Sequence, residues 1–291
     1  MDQTALATAR PAATDPAFMV NPLGKAEARA LWAALAARLA QWNADWTSDI
    51  GAPEHPTWIA PDCVVLTDTA VFEALATAAI AANARWDRIA AVRADLAIPF
   101  TGFDTARFAA SSDSDLATGV AWFRARHAGG RGLAATLVRL RDAAARLQPE
   151  SGGKGAAAYL RAARAAASDV PEDLAMLLGH DPRWKLPGIG IAVAAEALRL
   201  LGFDLCKPDR HVLRALGSWK LMRFARWDDD GGFAAPQPRP AELTTAMLTV
   251  RHLAEALGQG ISFTNSAIWL AGAVSGARLT NGEFAALAPR R

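Results

Sequence analysis

The sequence predicts an all-α protein, and three observations support this fold class. Apolar residues recur at helical spacing, as Leu31, Leu35 and Leu39 do in the first segment. No run of alternating β-branched residues is long enough for a sheet, and the best strand candidate, CVVLTDT at 63–69, is short. A composition of 52% hydrophobic and 21% charged residues fits a globular protein with a sizeable core.

Short breaks divide the helical pattern into successive segments. AEARALWAALAARLAQWNADW comes first, and the proline-rich loop IGAPEHPTWIAPDC follows it. After the break PESGGKG, the segment PEDLAMLLG begins a helix with Pro171 at a favoured first-turn position. The break WDDDGGFAAPQPRP precedes the last helical pair. Further helices are expected at 69–83, 86–96, 114–128, 132–147, 155–167, 191–201, 241–257 and 263–276.

The same breaks predict a domain organisation. Residues 1–24, rich in Ala, Thr and Pro, are expected to form a flexible arm. Residues 61–226 are expected to form the core domain. Residues 25–60 and 227–291 contain flanking helices, which are expected to pack together as a second lobe.

Composition excludes several classes of protein. The 291-residue chain has a net charge of only +2, which by itself does not indicate a nucleic-acid-binding protein. No apolar stretch reaches the roughly 18 uncharged residues that a membrane helix needs. Cys63 and Cys206 are too few for a disulfide framework or a four-cysteine metal or cluster site. We therefore expect a cytoplasmic monomer that has no membrane partner.

The sequence LPGIG at 186–190, called the glycine turn below, lies between two short predicted helices. Gly188 and Gly190 remove side chains where the backbone must turn sharply or approach another group closely. The first N–H groups of the following helix lack intrahelical partners and can bind an anion such as a DNA phosphate. Between 181 and 226, nine Lys or Arg residues stand against four Asp or Glu residues. An ordinary pair of helices with glycine caps is the alternative interpretation.

Asp209 stands directly before the basic helix start RHVLRALG, where it is expected to be the N-cap. A helix N-terminus favours negative charge, so a capping aspartate tends to stay ionised. An ionised carboxylate can stabilise the cationic, oxocarbenium-like sugar formed when a glycosidic bond breaks. A plain capping residue is the alternative. His211 is expected to be a hydrogen-bonded helper within the same helix.

The glycine turn and the segment KPDRHVLRALG together resemble the helix–hairpin–helix DNA glycosylase superfamily. The matching residues are Leu186, Pro187, Gly188, Ile189, Gly190 and Ala194 in the first motif, and Asp209, His211, Val212 and Arg214 in the second. The resemblance implies a two-lobed helical fold in which the hairpin grips double-stranded DNA containing a modified base and the aspartate catalyses base removal. It also implies a monovalent cation on hairpin carbonyls and DNA contacts from Lys185, Pro187, Gly188, Ile189, Gly190 and Lys207.

Two departures from the superfamily pattern restrict the implied chemistry. Members that also cut the strand carry a lysine two residues after the second glycine of the hairpin, where this chain has Ala192. No amine is therefore available there for a Schiff base. Many relatives hold an iron–sulfur cluster on four cysteines after the catalytic region, but no cysteine follows Asp209. We expect a monofunctional enzyme with no cofactor and no cluster.

A second segment, ANARWDRIAAVRADLAIPFTGFDTARFAAS, is similar to part of 3-methyladenine DNA glycosylase I. The similarity runs through Trp86, Arg93, Phe100, Phe103 and Asp104. The pocket glutamate of that enzyme would fall near Ala78, and its zinc-binding Cys and His pattern is missing. Alternatively, the aromatic residues of this segment simply belong to the hydrophobic core.

Base extrusion needs residues that stack on the base and fill the gap in the duplex. Candidates for these roles are Trp46, Asp49, Asn83 and Trp86. Alternatively, the tryptophans belong to the hydrophobic core and the amide of Asn83 is solvated.

The sequence as a whole favours a DNA glycosylase that removes a damaged or modified base, such as an alkylated purine. A catalytically inactive DNA-binding module on the same scaffold and a glycosylase acting on modified foreign DNA are alternatives. An all-helical structural or partner-binding protein with a chance hairpin is a third.

Overall fold

The computed structural model describes residues 23–50, 66–82, 84–148, 155–168, 170–225, 227–228, 232–233 and 238–289. The chain is almost entirely helical within these ranges, which confirms the all-α prediction. The helices are α1 (Lys25–Trp42), α2 (Asp68–Ala81), α3 (Trp86–Ala91), α4 (Thr105–Ala109), α5 (Asp113–Ala125), α6 (Leu133–Leu147), α7 (Gly155–Ala166), α8 (Pro171–Gly179), α9 (Ile191–Leu200), α10 (Arg210–Ser218), α11 (Pro240–Leu257), α12 (Ile261–Ala273) and α13 (Asn281–Leu287). Two short strands, β1 (Trp227–Asp228) and β2 (Gly232–Phe233), pair antiparallel.

The observed helices differ from the predicted ones in two respects. The helix expected at 86–96 ends earlier, because Val92 leaves helical geometry (φ −111°, ψ 5°) and a 3₁₀ turn follows at Arg93–Asp95. Helices α4 and α13 were missed, because a helix of five or seven residues is too short to show an apolar period. Each begins at a capping side chain, Asp104 or Thr280.

The chain divides into two compact units, which we call the terminal unit and the central unit. The terminal unit comprises residues 1–55 and 208–291, and the central unit comprises residues 56–207. The glycine turn belongs to the central unit, and Asp209 with helix α10 belongs to the terminal unit. The predicted lobes, with boundaries at 61 and 226, remain a prediction.

The central unit is organised around α2, which packs against α6, α7 and α9. Helix α2 is buried along most of its length from Val71 to Ile80, as expected for a helix that is apolar on every face. In the described ranges, no helix is both long enough and apolar enough to cross a membrane. Thr67 caps α2 by accepting a hydrogen bond from Ala70 N–H at 3.1 Å.

The terminal unit joins the first helix of the chain to the last ones. Helix α1 packs against α11, α12 and α13, and α10 packs against the same three helices. The leucine stripe predicted in α1 is buried at Leu31, Leu35 and Leu39. The buried carboxylate of Glu242 accepts hydrogen bonds from Ala225 N–H (2.7 Å) and Arg239 N–H (2.6 Å). It thereby holds together the two ends of the segment that contains β1 and β2.

Candidate functional site

Helices α8 and α9 pack closely against each other, and the glycine turn lies in the segment that joins them. A Cβ atom on Gly179, the last residue of α8, would lie 2.5 Å from both the N and Cα atoms of Ile191. Only glycine permits this approach, since real Cβ contacts are never that short. The role of Gly179 cannot be recognised from the sequence, because a glycine at a helix end is expected as a terminator in any case.

The glycine turn presents its glycines to solvent and its apolar side chains to the core. Leu186 and Ile189 are each 1% exposed, whereas Gly188 and Gly190 are exposed. Gly188 has φ 74°, a left-handed conformation that other residues rarely adopt. Gly190 is the N-cap of α9 and has no side chain to satisfy the first N–H groups of that helix. Those N–H groups therefore have no side-chain cap, and Gly179 packs against the first of them, that of Ile191.

Hydrogen bonds fix the residues around the glycine turn. Leu186 N–H donates to Leu178 O, and Ile189 N–H donates to Leu186 O, both at 3.1 Å. The buried hydroxyl of Tyr159 donates to Trp184 O at 2.9 Å, and its ring meets the indole edge to face. These bonds give the turn a preorganised shape, so that little entropy is lost when a ligand binds to it.

Three exposed basic side chains lie at or beside the glycine turn. Lys185 precedes it directly, and Arg183 stands over the indole of Trp184 with 5.1 Å between the guanidinium carbon and the ring centroid. The third is Arg139 of α6, since a Cβ atom on Gly188 would lie 2.7 Å from Arg139 Cβ. Arg139 cannot be assigned to the turn from the sequence, because no local signal links α6 to the turn.

Lys207, a predicted DNA contact, has a carboxylate partner within the protein. Its Nζ lies 3.8 Å from Glu196 Oε2, and Arg199 Nη1 donates to the same oxygen at 3.0 Å. The three side chains are only 14–18% exposed. Burial acts to raise the pKa of Glu196, but Arg199 and Lys207 outweigh it and the pKa is lowered. Lys207 thus ties the chain just before Asp209 to α9, and its DNA contact remains a prediction.

Asp209 occupies the predicted N-cap of α10. Its Oδ1 accepts hydrogen bonds from His211 N–H at 2.9 Å and from Val212 N–H at 3.2 Å, and the residue is half-buried. The backbone is extended (φ −88°, ψ 172°), as an N-cap requires. Buried positions on α10, such as Val212 and Leu213, anchor the helix in the terminal unit. The carboxylate is therefore held in one place by both its helix and its backbone partners.

His211 lies between α10 and α12. Its Nε2 accepts a hydrogen bond from Arg210 Nε at 3.2 Å, and its ring meets Trp269 edge to face at 6.4 Å. Gly272 of α12 makes room for it, since a Cβ atom there would lie 2.8 Å from His211 Cβ. Burial lowers the pKa of His211, with Arg210 acting in the same direction and Asp209 opposing it. The neutral imidazole is therefore the form that the fold favours.

The depressed pKa of His211 predicts a loss of stability in acid. The unfolded chain binds a proton near the ordinary histidine pKa of about 6.5, and the folded protein binds it only at lower pH. The contribution of neutral His211 to stability is thus complete above about pH 6.5 and is lost as the pH falls through the folded pKa. Urea unfolding of wild type and His211→Asn between pH 7.5 and 5 should show a flatter profile for the variant. His252→Asn on α11, an exposed histidine of the same unit, should follow the wild-type profile, and equal profiles for all three proteins would refute the assignment.

The residues predicted to stack on the base or fill the gap have different environments. Trp46 is only 7% exposed, and its ring centroid lies 6.2 Å from that of Trp32 and 6.1 Å from that of Phe263. Trp86 is the first residue of α3 and is half-exposed. The backbone at position 49 lies in a 3₁₀ turn, and the Asp49 side chain and all of Asn83 lie outside the described residues. A pocket role for these residues remains a prediction.

The residues of the upstream similarity are largely structural in this fold. Phe100 and Phe103 are buried and stack with 5.6 Å between their ring centroids. Asp104 caps α4, because its Oδ1 accepts hydrogen bonds from Ala106 and Arg107 N–H, both at 3.0 Å. These positions agree with a structural role for the three residues, so they do not support the prediction of an alkylated purine as the substrate.

Comparison with known proteins identifies no relative. No family model matches the chain, and the searches of curated proteins and of solved structures found no match. Among the described residues, no group of three or more His, Cys, Asp or Glu side chains could hold a metal ion. Two separate features are therefore the candidates for function: the glycine turn in the central unit and Asp209 in the terminal unit.

Proposed function

We propose that this protein is a monofunctional DNA glycosylase, with Asp209 as the catalytic residue and the glycine turn as a phosphate-binding element. The two-lobed helix–hairpin–helix glycosylase fold is part of this proposal. The observation that carries it is the carboxylate of Asp209, held at the N-terminus of α10 by two backbone N–H groups. The uncapped N-terminus of α9 supports it independently.

Base release requires breakage of the bond between C1′ of the sugar and the base nitrogen. The base leaves with the electron pair and takes up a proton, and the sugar becomes an oxocarbenium-like cation. The carboxylate of Asp209 stabilises this cation by charge and orients a water molecule. The water oxygen then bonds to C1′ and loses a proton, which leaves an intact strand with an abasic site.

DNA binding by the glycine turn follows from its backbone. No side chain caps the N-terminus of α9, so N–H groups of its first turn can donate to a phosphate oxygen. Lys185 and Arg139 add positive charge beside the turn. Because phosphate contacts carry no sequence information, this element positions the duplex and does not choose the base.

A monovalent cation on the turn carbonyls, which the superfamily resemblance implies, is not required by the residues present. Within the turn, Leu186 O already accepts a hydrogen bond from Ile189 N–H, and just before it Trp184 O accepts one from the Tyr159 hydroxyl. The uncapped N-terminus of α9 and the basic side chains at the turn account for phosphate binding without it.

A panel of duplexes, each with a single altered base, tests the proposed function. We expect abasic sites in at least one duplex, with an alkylated purine as our first candidate substrate. If only an oxidised or bulky modified base were released, the protein would still be a glycosylase, but the predicted substrate would be wrong. Binding to a damaged duplex with no base release from any member of the panel would instead indicate an inactive DNA-binding module.

The product should be an abasic site in an uncut strand. Ala192 stands where strand-cutting relatives carry a lysine, and it offers no amine for a Schiff base. Borohydride treatment during turnover should therefore trap no covalent protein–DNA adduct, and strand breaks should need alkali. Ala192→Lys is the positive control, because it restores an amine at this half-exposed position of α9. A good yield of adduct from the wild-type protein would overturn the monofunctional assignment.

A further inference from the structure

Three arginines of the terminal unit lie close to one another, and the first of them, Arg210, follows Asp209 directly in the chain. Arg210 and Arg214 lie one helical turn apart on α10, so their Cβ atoms are about 5–6 Å from each other. Arg214 Nη2 donates to Leu279 O at 2.7 Å, and its Nε donates to Asn281 Oδ1 at 2.9 Å. These bonds place the Arg214 guanidinium beside the segment that carries Arg278.

None of these arginines forms an ion pair with a carboxylate among the described residues. The Arg210 Nε donates to the neutral ring of His211, and Arg278 is exposed. Burial lowers the pKa of Arg214, and repulsion from Arg278 and Arg210 lowers it further. All three stay protonated at neutral pH, because an arginine does not lose its proton in a protein. The cluster is therefore a site of concentrated positive charge within a chain of net charge +2.

We propose that Arg210 and Arg278 bind phosphate groups of the DNA backbone next to the nucleotide on which Asp209 acts, with Arg214 as a fixed positive charge in the same cluster. This inference rests on the proposed function. The planar guanidinium matches phosphate oxygens with paired hydrogen bonds, and a bound phosphate would remove the repulsion within the cluster. Half-buried Arg214 is held by two acceptors and supplies a fixed charge, while exposed Arg210 and Arg278 supply the groups that reach the ligand.

The arginine cluster would reduce the repulsion between the catalytic carboxylate and the DNA phosphates in the proposed reaction. A catalytic carboxylate is repelled by the phosphates that flank its target nucleotide. Arg210 follows Asp209 directly in the chain, so a phosphate that it binds is neutralised near the carboxylate. The charge of Asp209 can then act on the sugar cation with less repulsion between the carboxylate and the strand.

The salt dependence of duplex binding tests the cluster. The protein is titrated against a duplex with a tetrahydrofuran abasic-site analogue at 50–200 mM salt, and the readout is fluorescence anisotropy. Each neutralised phosphate contributes about 0.9 to the slope of log K against log salt. Arg210→Ala and Arg278→Ala should each lower the slope by about 1, and the double variant by about 2. Arg29→Ala on α1, which removes the same charge from an exposed site of the same unit, should leave the slope unchanged.

Stability separates phosphate binding from a structural role. Because the variants relieve repulsion, their resistance to urea should equal or exceed that of the wild type. If both single variants had the wild-type salt slope, or if Arg29→Ala lowered the slope equally, phosphate binding by the cluster would be refuted. Base release by the wild-type protein would still support the glycosylase. If the variants lowered the slope but the wild type released no base from any duplex, phosphate binding by the cluster would be supported and the proposed enzyme activity refuted. If the wild type did not bind the duplex, both the arginine cluster and the glycosylase would be overturned. If the variants lost affinity for single-stranded RNA and not for the duplex, DNA would be the wrong ligand.

Discussion

Replacing Asp209 with asparagine is expected to slow base release by about 10²- to 10³-fold and to leave the fold intact. The reduction is the usual magnitude when one preorganised group that stabilises transition-state charge is lost. Asparagine keeps an oxygen in the place of Oδ1, so the N–H groups of His211 and Val212 retain an acceptor. Asparagine and aspartate are also nearly equal as N-caps. Single-turnover release of the base, measured by alkaline cleavage of the product, gives the rate.

A second capping aspartate provides a matched control for this substitution. Asp104 caps α4 with the same pattern, since its Oδ1 accepts from the N–H groups two and three residues later. Asp104→Asn makes the same chemical change at a helix N-terminus of the central unit, and it should release bases at the wild-type rate. Asp209→Asn should also bind DNA as well as the wild type or better, because a negative charge near the phosphates has gone. Equal rates of release for the two variants and the wild type would remove Asp209 from the reaction.

The parts of this fold that could be predicted from the sequence are those with local signals. The leucine period of α1 and the position of Asp209 before an amphipathic segment each lie within a few consecutive residues, and both predictions agree with the structure. An N-cap can be recognised from sequence because its partners are the next two or three N–H groups. The catalytic role assigned to Asp209 comes from the superfamily resemblance and awaits the rate measurements.

The parts that could not be predicted depend on contacts between distant segments. Arg139 reaches Gly188 from another helix, and Gly272 accommodates His211 across the packing of α10 on α12. The sequence predicts Lys207 as a DNA contact and does not show that it also pairs with Glu196 on the preceding helix. Neither spacing nor composition contains this information, since tertiary packing decides which charges remain available to a ligand.

Gly190 permits a test in which stability and DNA binding change in opposite directions. Its backbone has the extended conformation of an N-cap (φ −94°, ψ 173°), and an added Cβ atom would meet nothing within 4 Å. Aspartate or asparagine can therefore be introduced without strain, and each would cap the first N–H groups of α9. Both variants should gain a few tenths of a kcal/mol in the free energy of unfolding, because a glycine cap is weaker by about that amount.

Gly190→Asp should lose DNA affinity by roughly two orders of magnitude relative to Gly190→Asn. The two side chains have almost the same size and capping ability, so the difference isolates the charge. A carboxylate at about 4 Å from a phosphate near a protein surface costs up to about 4 kcal/mol, and salt reduces this value. The comparison uses anisotropy with the same abasic-site duplex, and urea unfolding verifies that both variants are folded. If Gly190→Asp and Gly190→Asn bound the duplex equally, no phosphate would approach the α9 N-terminus, and the glycine turn would be only a tight connection between two helices.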